Sequence, residues 1–62
     1  MAKLFNIYLQ SETKNNESDY LGSYKAKTLN EAVRAALDEN DLDPRLYNKK
    51  DQTYDGRKVW EQ

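Results

Sequence analysis

The stretch TLNEAVRAALDEN, residues 28–40, decides how this chain folds. Leu29, Ala32, Val33, Ala36 and Leu37 recur at i, i+3, i+4, i+7 and i+8, the spacing that puts all of them on one face of an α-helix. Thr28 stands where an N-cap belongs. Glu31 follows three residues later, so the pair predicts a capping box and a helix starting at Leu29. The opposite face carries Asn30, Glu31, Arg34, Asp38 and Glu39, with Arg34 within reach of Glu31 at i−3 and of Asp38 at i+4. A helix with one apolar face needs an apolar surface to cover, and the flanking segments supply strands for it.

Upstream, KLFNIYLQ (residues 3–10) alternates with a period of two. Phe5, Ile7 and Leu9 fall on one side and Leu4, Asn6, Tyr8 and Gln10 on the other. The polar segment 11–19 reads as a hairpin loop, and its Asn16-Glu17-Ser18 sequon has no secretory signal to give it meaning. YLGSYKAK (residues 20–27) reads as a second strand. Small residues at Gly22 and Ala26 let a helix lie close, so the set Tyr20, Gly22, Tyr24 and Ala26 is expected inside, and Leu21, Ser23, Lys25 and Lys27 outside. Downstream, Pro44 stops any helix, and Asp43-Pro44 suits the start of one new turn through Leu46 or Tyr47. Residues 47–54 form a polar strand candidate. Asp55-Gly56 is the strongest turn signal, with residues 57–61 returning as the last strand. The expectation is a single α+β domain over residues 1–62: a small antiparallel β-sheet with one α-helix packed on one face, in the order ββαββ.

Composition excludes more than it assigns. The 62 residues contain neither cysteine nor histidine, which removes disulfides, thiolate and histidine metal sites and the usual nucleophile–base pairs. With Gly22 and Gly56 as the only glycines there is no phosphate-cradling loop. In the acidic cluster Asp38, Glu39, Asp41 and Asp43, the last three alternate like the opening ligands of a calcium loop, yet Pro44 stands where its glycine is needed and Lys50 where its closing glutamate is needed. A non-enzymatic protein without cofactor or metal is therefore expected. The N-terminal MAKLFN lacks a long apolar run, which points to a cytoplasmic setting without membrane contact. The net charge of −1 conceals a split: residues 28–43 are strongly acidic, and residues 44–60 are basic.

Two functional readings follow. With one helix in the chain, the second sheet face has nothing to cover it. Leu4, Tyr8, Lys25, Lys27, Lys58 and Trp60 are then expected to bind a partner, provided Val59 points inward and Trp60 outward. The partner would be a larger protein or nucleoprotein complex, with homodimerisation as a further use of the same face. The alternative is weak single-stranded nucleic-acid binding by Arg45, Lys49, Lys50, Tyr54, Arg57 and Lys58, cations steering phosphates beside aromatic rings that stack bases. The aromatic-rich motifs of RNA-binding sheets are absent.

The passage GSYKAKTLNEAV, residues 22–33, loosely resembles the strand-to-helix part of HicB-type antitoxin folds. The resemblance covers under a quarter of the chain, its T-L-x-E-A core is common where a strand feeds a capped helix, and no stretch here matches the family's DNA-binding segment. In size and lack of catalytic chemistry the chain is also similar to small phage-encoded inhibitors of bacterial defence complexes, without a shared motif. That similarity implies a phage or mobile-element regulator that inhibits such a complex.

Overall fold

The computed structural model describes residues 1–14 and 16–62; Asn15, inside the expected loop over 11–19, lies outside the described residues. Strand β1 (Lys3–Gln10) is followed by β2 (Ser18–Ala26), helix α1 (Leu29–Glu39), a 3-10 turn at Pro44–Leu46, and the short strands β3 (Tyr47–Asn48), β4 (Thr53–Tyr54) and β5 (Arg57–Glu61). The five strands form one antiparallel sheet in the order β2-β1-β5-β4-β3, with the helix packed on one face. No helix among the described residues is long and apolar enough to cross a membrane.

Chain order explains the topology. The β1–β2 hairpin leaves one edge of β1 unpaired, and the last strand returns to fill it, Ile7, Tyr8 and Leu9 pairing with Glu61, Trp60 and Val59. Phe5, Ile7 and Leu9 of β1 meet Ala32, Val33, Ala36 and Leu37 of the helix, joined by Tyr54 and Val59, in one buried cluster. Ile7, Val33 and Leu37 are fully enclosed. Each large aliphatic side chain removed from water in this way contributes about 1.5–3 kcal/mol.

The stretch 47–54, expected as one strand, is instead a small hairpin, so the order is ββαβββ rather than ββαββ. Asn48 makes the difference. Its Oδ1 accepts the amide N–H groups of Lys50 (3.0 Å) and Asp51 (3.2 Å), and its Nδ2 donates to the Asp51 carboxylate, which closes a turn the residue types only hinted at. At the next corner Asp55 (φ 49°) and Gly56 (φ 80°) are both left-handed, the geometry of a two-residue type I′ hairpin turn. Asp43 caps the 3-10 turn, its carboxylate accepting the Arg45 amide at 3.0 Å, with Pro44 supplying the first residue.

Strand β2 also departs from the expected alternation. Residue pairing runs Phe5↔Tyr24, Asn6↔Ser23 and Ile7↔Gly22, and then jumps to Tyr8↔Tyr20, so Leu21 is an extra residue and the strand carries a β-bulge. Beyond the bulge the alternation inverts. Leu21, expected outside, packs against the core with Tyr24 and Ala26; Tyr20, expected inside, is 56% exposed. Gly22 permits this with φ +131°, and the Tyr24 ring lies so close over it that a Cβ would meet the Tyr24 hydroxyl at 2.8 Å. Lys27, expected as the last outward residue of β2, lies just past the strand, in the bend that leads to the helix.

Candidate functional site

The bulge builds the feature that distinguishes the open sheet face. Because Tyr20 is turned outward, it faces Tyr8 on β1, and Tyr8 in turn faces Trp60 on β5. The Tyr8 and Tyr20 ring centroids are 5.0 Å apart at 46°, and those of Tyr8 and Trp60 are 6.1 Å apart with planes within 14° of parallel. Three aromatic rings thus form one row across three adjacent strands, cross-strand contacts of the kind that add about 0.5–1.5 kcal/mol beyond area burial. Tyr8 and Trp60 are half-buried, and Tyr20 is the most open of the three.

A polar row runs alongside. Ser23 pairs with Asn6 in the register, and its hydroxyl donates to Asn6 Oδ1. That leaves the Tyr20 hydroxyl to donate to Ser23 Oγ at 2.6 Å, while Asn6 Nδ2 donates to the Gln62 carbonyl at 3.0 Å. Hydrogen bonds therefore brace the aromatic row from β2 to the chain segment after β5. Leu4, 60% exposed, continues the face beyond this row, opposite Lys25.

The two faces differ in where the strand carboxylates lie. The alternation that turns Val59 inward turns Lys58 and Trp60 outward. The strand carboxylates take the other side: Asp19 is opposite Leu9, and Glu61 opposite Ile7, both buried inward-facing residues. The outward-facing strand residues therefore include the cations Lys25 and Lys58 and no carboxylate. Of the partner-binding residues expected from sequence, Leu4, Tyr8, Lys25, Lys58 and Trp60 share this face, and Lys27 sits past its margin. Tyr20 was missed because period-two reading carries no information about a bulge. Gly22 was the available signal, since an isolated glycine inside a strand pattern often marks one.

Of the residues of the nucleic-acid reading, Arg45 and Lys49 line a common cleft, and the others lie apart from it. Tyr54 is 6% exposed, a core side chain whose hydroxyl accepts the Asp43 amide at 3.1 Å, so its ring is not open to a base. Arg57 is directed into the fold, its Nε donating to the Gln10 carbonyl at 2.7 Å and its Nη2 lying 3.3 Å from the Asp19 carboxylate. Arg45 grips Asp43 through Nε and Nη2, and these hydrogen bonds hold the Asp43 carboxyl below the usual carboxylate range. Lys49 and Lys50 occupy the β3–β4 turn, and Lys58 is on the open face. Comparison of the chain with protein-family models, with curated proteins and with solved structures gives no match in any of the three.

Proposed function

We propose that this chain is a non-enzymatic interaction module that docks the open face of its sheet onto a larger protein and modulates it by occupying that surface. The observation that carries the reading is the braced aromatic row Tyr20–Tyr8–Trp60 on a face that bears Lys25 and Lys58 and no strand carboxylate. Aromatic side chains held in place by neighbours lose little freedom on binding, which is why they dominate interface energetics. The lysines favour a partner whose contact patch is acidic around an apolar centre.

The test uses Tyr8→Ala combined with Trp60→Ala as bait beside the wild-type chain, in nuclease-treated extract of the native host. Circular dichroism first establishes that both baits are folded. A protein retained by the wild type and lost by the folded double variant, and whose purified form then binds with an affinity reduced more than about thirtyfold by the double change, supports the proposal. An unchanged affinity sinks it. An unfolded double variant makes the row a brace of the sheet rather than a docking surface. Capture seen in untreated extract but lost after nuclease treatment, with affinity falling steeply as salt is raised, favours the nucleic-acid reading instead. Sedimentation of the wild type alone reads out self-association through the same face.

A further inference from the structure

A second site is built on the helix side of the sheet, away from the aromatic row. Pro44 turns the chain back toward the helix, and the residues that follow carry Tyr47 against it, where the Tyr47 hydroxyl donates to Asn30 Oδ1 at 2.8 Å. Between these elements lies a half-open cleft of about 320 Å³ lined by Asn30, Arg34, Pro44, Arg45, Tyr47 and Lys49. Cations make up half of the lining and carboxylates none of it, in a chain whose net charge is −1.

Asp43 compensates Arg45, but the other two cations of the cleft have no ion-pair partner among the described residues. Arg34 has Glu31 and Asp38 at helical ion-pair spacing, yet among the described residues it pairs with neither. Glu31 instead accepts the Lys27 amide at the helix start. Lys49 likewise makes no ion pair among the described residues. Arg45 is held in one orientation by its two-point contact with Asp43. Because Asn30 Oδ1 is taken by Tyr47, the Asn30 amide group is left with its N–H donors to offer. The polar side chains thus present donors to a hollow where like charges raise the local potential, and Pro44 and the Tyr47 ring supply an apolar wall.

We propose that this cleft binds the phosphate group of a small phosphate ester. Arg34 and Lys49 neutralise the phosphate, the Asn30 amide donates to it, and the organic part lies against Tyr47 and Pro44. The volume is at the small end of ligand sites and suits a mononucleotide-sized molecule. Arginine presents paired donors to phosphate oxygens, so Arg34 is expected to carry most of the recognition.

Amide chemical shifts of the whole chain, followed during titration with inorganic phosphate and with adenosine monophosphate at fixed ionic strength, test this. Expected are saturable shifts at Asn30, Arg34, Tyr47 and Lys49, tighter binding of the nucleotide than of phosphate, and roughly tenfold weaker binding in Arg34→Gln. Lys14→Gln, in the β1–β2 loop and outside the cleft lining, should leave the affinity unchanged. Shifts that never saturate, or equal weakening by both substitutions, would reveal diffuse charge attraction and overturn the proposal. A 5′-phosphorylated oligonucleotide compared with its 5′-hydroxyl counterpart separates the sources of the ester. Preference for the phosphorylated end assigns the site to nucleic-acid termini, and binding of the mononucleotide alone assigns it to a free metabolite. Equal binding of both oligonucleotides at the cleft would overturn phosphate recognition.

Discussion

The two ends of the helix are built on different principles. At the first turn everything needed is local: Thr28 in extended geometry (φ −132°, ψ 158°) accepts the Glu31 amide on Oγ1 at 3.3 Å, and Glu31 reaches back to the Lys27 amide. The back-bond falls one residue before the one a capping box would use, but the closure is the same in kind. At the last turn a tertiary closure is added to the local one. Asn40 Nδ2 donates to the Ala36 carbonyl at 2.7 Å and also to the Leu21 carbonyl at 3.0 Å, the backbone group released by the β2 bulge. The same carbonyl accepts the Tyr24 hydroxyl at 3.0 Å. One end of the helix is self-contained, and the other is tied to the distortion that turns Tyr20 outward.

The largest test of this contrast is packing. Leu37 in the last turn is fully buried, whereas Leu29 in the first turn is only partly so. Leu37→Ala should cost about 2–5 kcal/mol in denaturant unfolding, a large share of the stability of so small a domain. Leu29→Ala should cost clearly less. Equal costs would mean that the helix is anchored evenly along its length and the contrast fails.

The middle-sized test is about reach. Asn40→Ala should cost about 1–2 kcal/mol by removing the side-chain hydrogen bonds to Ala36, Leu21 and Tyr24, and Thr28→Ala about 0.5–2 kcal/mol by removing the cap. The totals overlap, so the distinguishing measurement is native-state hydrogen exchange, residue by residue. Thr28→Ala should speed exchange in the first helical turn alone. Asn40→Ala should also loosen the amides of residues 21–24 in β2, on the far side of the contact. Confinement of the Asn40 effect to the helix would separate the bulge from the helix end.

The same division explains what could be read from the chain. The helix, the inward set Phe5, Ile7 and Leu9, the 3-10 turn behind Asp43 and the Asp55-Gly56 hairpin were all legible, because periodicity, caps and turn dipeptides are signals within a few residues. The inversion at Leu21 was not. A bulge is decided by what the displaced groups can find, and here those are Tyr24 lying over Gly22 and Asn40 arriving 19 residues later. The directions of Tyr8 and Lys25 on the candidate docking face were legible from undistorted alternation, and those of Lys58 and Trp60 only on the condition that Val59 points inward. Tyr20 was not legible there because its direction depends on the bulge. The cleft escaped because Arg34 had sequence neighbours fit to neutralise it, and only the fold shows that it pairs with neither.

The smallest effect has the opposite sign, and it isolates what is poor about the C-terminal end. The chain leaves the helix through a Schellman arrangement, the Leu42 amide donating to the Leu37 carbonyl at 2.8 Å and the Asp41 amide to the Asp38 carbonyl at 3.2 Å. That geometry places Asp41 at φ 57°, a left-handed position where glycine is the usual occupant. The last turn carries no basic residue, and Asp38, Glu39 and Asp41 crowd the negative end of the helix dipole. Two costs are therefore superimposed, and two substitutions separate them. Asp41→Asn keeps tolerance for the left-handed backbone and removes the charge, so it should stabilise by about 0.3–1 kcal/mol at low salt and by less as salt screens the dipole. Asp41→Gly removes the charge and the backbone strain together. After the greater freedom of glycine in the unfolded chain is subtracted, it should exceed the asparagine variant by a few tenths of a kcal/mol, and that excess should persist in high salt. Neither change touches the Asn40 bonds to Leu21 and Ala36, so exchange in β2 should stay as it is in the wild type. A glycine variant no more stable than the asparagine one would show that the backbone at Asp41 is unstrained, leaving charge as the whole defect of this end.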